Sequence, residues 1–349
     1  MSGRLDLRRG VVVSVEPLLV EVAGGHRPAW ADTVLLGEMR VGDEVVVNVA
    51  AVELGLGSGG FDVVHVNLTR GLEGAGRGGE HVIKLNYTSL QHPVEPIEAA
   101  SARSRFLIDL TGEKGTTGLE RGEVAVLVLP LHGHLAPAAW AAAQTAPGLR
   151  VGYVQTGGGA LPGSLSRDVA TLRERDLLCG HITAAPAYGG EHDALSTVGA
   201  LDAAARLGWE AILVGPGPGI IGSDTEFGHG GMVALDSAHA ALSLGMPTTI
   251  SPRVSAADPR ERHRGLSHHT RTVLELLLAA VDVAVPSEFP DAAAELEAAR
   301  EERHHLHLAP ADLDGYAASG LPTTTMGRKL AEDPLFFAAP LAAGHLLGR

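Results

Sequence analysis

From residue 123 onward, short apolar runs alternate with longer segments whose apolar positions recur every three or four residues. The runs at 124–129, 151–156, 179–185, 211–214, 248–251, 281–285 and 305–308 predict seven strands. Between them, 193–207 carries Leu195, Val198 and Leu201 on one helical face and stops at Gly208. The segment 232–244 stops at Gly245 in the same way. Ser267 is an expected N-cap for a helix over 268–280, and Asp333-Pro334 opens a last one. Apolar strands alternating with amphipathic helices predict a mostly parallel sheet covered on both faces.

The first 70 residues follow a different pattern. Runs at 11–15, 18–22, 44–49 and 61–66 are short, rich in valine and separated by turn signals such as Glu16-Pro17 and Val41-Gly42-Asp43. They predict a small all-β domain, barrel-like, over 1–70. Residues 71–122 read as a connection, with a glycine-rich loop at 71–79, a strand at 81–90, a second strand at 103–110 and a loop at 112–122. The fold class expected is therefore α/β: a small N-terminal β-barrel-like domain, then a larger open α/β sheet with Rossmann-like layers over 123–349.

In an open parallel sheet, ligands bind beyond the carboxyl ends of the strands. Five successive strands are followed by loops rich in glycine and histidine. These loops hold His132 and His134, then Gly157–Gly159, then Asp193, then residues 215–231, and then His268 and His269. His132 and His134 lie two apart, so an extended segment would point both the same way. The stretch 214–231, VGPGPGIIGSDTEFGHGG, offers Gly215, Gly217, Gly219 and Gly222 as backbone that a ligand could approach closely. It also offers Asp224, Glu226 and His229 as oxygen and imidazole ligands for a divalent metal, the alternative being capping and turn formation. His268 and His269 would sit at a helix N-terminus, where imidazole stays neutral and free amides attract anions. G-x-G-x-x-G occurs at 217–222, but Pro218 restricts the turn and no helix starts there; no P-loop lysine follows either.

Charge narrows the partners. A formal net charge of −14 argues against nucleic acid and anionic membranes. No apolar run approaches the ~20 residues of a membrane span, and the N-terminus lacks a signal-peptide pattern, so a cytoplasmic location is expected. Cys179 is the single cysteine, which excludes an internal disulfide and a thiolate cluster; a small buried hydrophobe is the expected role.

The segments GPGPGIIGSDTEFGHGG, GLSHHT at 265–270, TTTMGR at 323–328, VGDEVVVN and ELGLGSGG resemble a bacterial domain-of-unknown-function family, found largely in actinobacteria. The resemblance implies a complete bacterial protein of recurring design, and carries over no activity, cofactor or functional residue. From the residues themselves, the expected function is an enzyme acting on a small anionic metabolite, with His132, His134, Asp193, His268 and His269 as catalytic candidates. A divalent metal is a possible cofactor, and a homo-oligomer is expected. The alternative is a ligand-binding or regulatory protein that uses the same pocket without chemistry.

Overall fold

The structure, a computed structural model, describes residues 4–56, 59–72, 81–99 and 119–349. The chain divides into two compact units, Met1–His81 and Val82–Arg349.

In the first unit, strands β1 (Leu7–Val15), β2 (Leu18–Val22), β3 (Gly25–Trp30), β4 (Glu44–Asn48) and β5 (Asp62–Asn67) close into a barrel of order β1-β2-β3-β5-β4. β3 and β5 run parallel and the other pairs antiparallel, the arrangement of OB-type barrels. Alternation sends Val12, Val20, Val45, Val47 and Val64 inward as a valine core. Gly10 is required where β1 meets β2, because a Cβ there would stand 2.5 Å from Val20 and 2.7 Å from the Glu21 carbonyl oxygen.

The second unit begins with a hairpin, β6 (Val82–Lys84) and β7 (His92–Val94). The single strand expected over 81–90 is therefore corrected. Leu85 and Tyr87 take positive φ, and the Thr88 hydroxyl donates to the Leu85 carbonyl, so the polar residues turn the chain back. The strand expected at 103–110, and most of the loops expected at 71–79 and 112–122, lie outside the described residues.

The sheet has eight parallel strands: β8 (Ala125–Val128), β9 (Val151–Thr156), β10 (His181–Ala184), β11 (His192–Ala194), β12 (Ala211–Pro216), β13 (Thr248–Ile250), then β16 (Asp282–Pro286) and β17 (His305–Ala309). Between the last two and β13 lies a small ribbon of β14 (Val254–Ser255) and β15 (Gly265–Leu266). The sheet order is β11-β10-β9-β12-β8-β13-β16-β17. All seven strands predicted from residue 124 onward are present. The eighth, β11, occupies residues expected to start a helix; that helix begins at Thr197, where the Ser196 side chain accepts from the Gly199 amide. The helix expected over 268–280 ends at Leu276.

Period-two alternation assigns Val126 and Val128 to one face and Leu127 and Leu129 to the other. Helices Thr197–Arg206, Val233–Ser243, His268–Leu276 and Pro290–Ala299 cover the first face; Leu135–Thr145, Arg167–Glu174 and Leu313–Ala318 cover the second. The connections leaving the neighbouring strands β8 and β12 thus depart to opposite faces, and their loops part at the carboxyl edge. Among the described residues no helix is long and apolar enough to cross a membrane.

Candidate functional site

At the carboxyl edge the loops are interlocked through glycine. A Cβ on Gly159 would stand 2.1 Å from the Gly217 carbonyl oxygen, and one on Gly230 would stand 1.8 Å from that of Gly158. Gly215 and Gly217 are buried in the same way, against the Leu129 and Ala160 carbonyls at 2.8 and 2.3 Å. These glycines serve backbone-to-backbone packing. Gly219 and Gly222 remain on the exposed part of the loop, where Gly222 bridges to His229.

This packing draws His229 inward. It is nine-tenths buried, and among the described residues neither ring nitrogen makes a well-formed hydrogen bond, although a backbone interaction with Glu226 favours its protonated form. Its ring stacks on His269 at 3.5 Å between centroids, with 4° between planes. His268 lies 5.3 Å from His229 and 4.4 Å from His269, and its Nε2 is buried without a partner. One ligand nitrogen from each of His229, His268 and His269 falls within 4.8 Å of the others. A fourth imidazole, His263, stands 4.8 Å from His269 and shares a 2.7 Å hydrogen bond with the Ser267 hydroxyl, which also caps the helix carrying His268 and His269.

Arginines surround these rings. Arg253, at the end of the β13 loop, is 4% exposed; its Nη1 donates to His269 Nδ1 at 3.1 Å. Asp258 and Asp333 are fully buried. Arg260 binds Asp258 in bidentate fashion at 2.9 Å, and Arg328 binds Asp333 at 3.0 Å. Arg262 pairs with Asp224. The carboxylate nearest Arg253 is Asp258 at 3.7 Å, through the same oxygen that already holds Arg260. Arg253 therefore has no carboxylate of its own among the described residues, and burial pushes its pKa down to about 10.

Burial first, then the guanidinium charges and neighbouring imidazoles, lowers the pKa of His229, His268 and His269, and holds His263 down at about 3. The four rings are neutral at physiological pH. They can offer lone pairs to a metal, but beside the uncompensated guanidinium charge they are weak bases.

The other residues singled out by sequence are placed elsewhere. His132 Nδ1 lies 3.2 Å from the Pro216 carbonyl, and its Nε2 lies 2.7 Å from the Ser166 hydroxyl. His134 is fully buried, hydrogen-bonded to Ser251 at 2.8 Å and packed edge-on against Phe336. Asp193 accepts from Lys84 Nζ at 2.7 Å, from the Thr183 hydroxyl at 2.8 Å and from the Gly189 amide at 3.2 Å. It anchors the β6 hairpin to the outer edge of the sheet, with all three bonds made to its Oδ1. Asp224 and Glu226 are exposed, so of the three metal candidates only His229 stands with other ligands. Cys179 is partly buried against the core.

Sequence reading missed Arg253, Asp258, His263 and Arg328. The available signal was position: Ser251-Pro252-Arg253 follows β13 directly, at the edge where ligands bind. A depression lined by Leu242, Met246, Thr248, Val281, Asp282 and His305 opens at the opposite, amino-terminal ends of the strands and gathers no comparable chemistry.

Three of the segments that carry the family resemblance converge on this cluster. Residues 214–231 supply His229, 265–270 supply His268 and His269, and 323–328 supply Arg328 together with Met326, whose sulfur lies 3.5 Å from Arg260. No curated protein and no solved structure matches the chain. Residues 29–344 match the family model described as a protein of unknown function (DUF3866), and the chain belongs to that family.

Proposed function

We propose that this member of the DUF3866 family is an enzyme acting on a small anionic metabolite at the cluster of His229, His268, His269 and Arg253. The observation that carries this reading is the state of Arg253. The guanidinium of Arg253 is buried without its own carboxylate and spends its side-chain hydrogen bonds on His269 Nδ1 and, weakly at 3.9 Å, on the Met326 sulfur; of its five N–H donors this leaves a share of the fork that matches a carboxylate or phosphate. A ligand oxygen would complete that fork and offset the cost of burying the charge. The adjoining imidazoles carry unpartnered nitrogens, and an anion seated on Arg253 would offset the guanidinium charge that depresses their basicity, so that one of them can remove a proton from an atom beside it. The sheet geometry supports the same location, since the loops of β8 and β12 part at the edge where open α/β sheets hold ligands.

The experiment is thermal unfolding with orthophosphate and a panel of small phosphorylated and carboxylated metabolites. It is followed by mass spectrometry of the same panel after incubation with the protein. Binding at a hundredfold excess over Kd stabilises the native state by about 2.7 kcal/mol. That stabilisation should vanish in Arg253→Met, and conversion should vanish in His268→Ala. Protection by no anion at all would overturn the proposal. Protection without conversion of any metabolite would make the protein a binding protein instead.

A further inference from the structure

We propose that His229, His268 and His269 form a binding site for a divalent transition metal of the zinc class, with the imidazoles as its three protein ligands. The proposal extends the reading of this cluster as an active site, but metal binding is read without any substrate, so the two can fail separately.

The geometry points to a metal through what the rings leave undone. Nitrogens from all three rings lie within 4.8 Å. Among the described residues, both nitrogens of His229 and the Nε2 of His268 are buried without a well-formed hydrogen bond. A buried polar atom left unpaired is destabilising, and the Ser267 hydroxyl close by is already engaged by His263 and the helix amide. A single cation would take one lone pair from each ring, with His269 giving up its hydrogen bond from Arg253 or changing tautomer to join.

The donor set decides the metal. Three imidazoles and no carboxylate suit zinc, cobalt, nickel or copper, and not magnesium or calcium, which require oxygen. Asp224 would have been the hard ligand, but it is exposed and paired with Arg262. Three protein ligands also leave a coordination position free for water or substrate, as in catalytic zinc sites.

Two features set how tightly the ion is held. Metal–nitrogen bonds of about 2.0–2.1 Å place tetrahedral ligand nitrogens roughly 3.3 Å apart, so separations that reach up to 4.8 Å here must close by at most roughly 1.5 Å. Imidazole lone pairs lie in the ring plane, and His229 and His269 are stacked parallel. One of these two rings must therefore turn about its χ2 to bind. The second feature is Arg253, whose Nη1 meets His269 Nδ1 and whose charge opposes a second cation. An anion held on Arg253 would cancel that opposition, so metal and anion should each tighten the binding of the other by the same factor.

The test uses the full-length chain without a histidine tag, stripped with a chelator. It is titrated with Co²⁺, followed by visible absorbance, and with Zn²⁺, followed by calorimetry. One ion per chain is expected. His229→Ala, His268→Ala and His269→Ala should each weaken it by roughly a hundredfold or more, and His307→Ala on exposed β17 should leave it unchanged. Arg253→Met should bind the metal more tightly, by roughly tenfold or more. Melting curves identify any variant that fails to fold, and the Arg253→Met result stands apart from such failures because it is a gain. No stoichiometric Co²⁺ or Zn²⁺ binding by the folded parent, or binding indifferent to the three histidine substitutions, would overturn the metal site. Phosphate protection that persists in that case would leave the anion reading in place.

Discussion

Lowering the pH from about 7.5 to about 5.5 should cost this protein a large part of its stability, through histidines buried as neutral rings. His134, His181 and His263 are each held down at about 3, with burial the leading cause. In the unfolded chain an imidazole titrates near about 6.5. The folded value lies below the unfolded one, so the unfolded chain binds more protons. The contribution to stability is complete above about pH 6.5 and is lost progressively as pH falls towards about 3. Over the stated interval the unfolded imidazole gains a factor of about 10 in its proton-binding polynomial, and the folded one gains almost nothing. Each ring therefore costs about 1.4 kcal/mol, and the three together roughly 4 kcal/mol, against a typical total stability of about 5–15 kcal/mol. The buried carboxylate of Asp258 does not contribute within this window. Burial alone would raise its pKa, but the hydrogen bonds and charge of Arg260 outweigh that and hold it below the ordinary carboxylate range. The assay is urea unfolding at the two pH values, followed by fluorescence in a Trp30→Phe background. The signal then comes from Trp140 and Trp209, both in the α/β unit. His134→Asn keeps an acceptor for Ser251 but does not titrate, and should flatten the pH dependence by about 1.4 kcal/mol. An unchanged urea midpoint at about pH 5.5 would refute the burial of these rings as neutral groups.

Two further outcomes follow from packing. Lys84 is buried and donates to the Thr183 and Ala187 carbonyls as well as to Asp193; Lys84→Met removes the counter-charge of Asp193 and the donor of both carbonyls, and should cost about 3 kcal/mol in the same unfolding assay. If the midpoint barely moves, Asp193 has an alternative partner and is not held by the hairpin. Gly152→Ala would place a Cβ 2.0 Å from the Trp209 ring, and should lower stability by about 1–3 kcal/mol or more while shifting Trp209 emission; unaltered emission and melting would count against the tight seat of that indole.

The layered fold and the edge that carries the polar loops were legible in the residues, because both depend on short-range repetition. Alternation of Val126, Leu127 and Val128 needs only neighbours in sequence to make a strand buried on both faces. The five loops then share one edge because parallel strands point the same way. The hairpin at β6 and β7 was not legible, since Lys84 takes its meaning from Asp193, 109 residues away.

Membership of the site is a tertiary matter for the same reason. Nothing local separates His134, fully buried against Phe336, from His268, which joins the imidazole cluster; both follow predicted strands in glycine- and histidine-bearing loops. Which of them meet is decided by strand order, which puts β13 beside β8 and brings the loop after β12 over Arg253 and His269. The sequence by itself determined the layers, the edge and the chemistry available there. Only the tertiary structure selected Arg253, His229, His268 and His269 from among the candidates, because burial and charge at each ring come from residues far off in the chain.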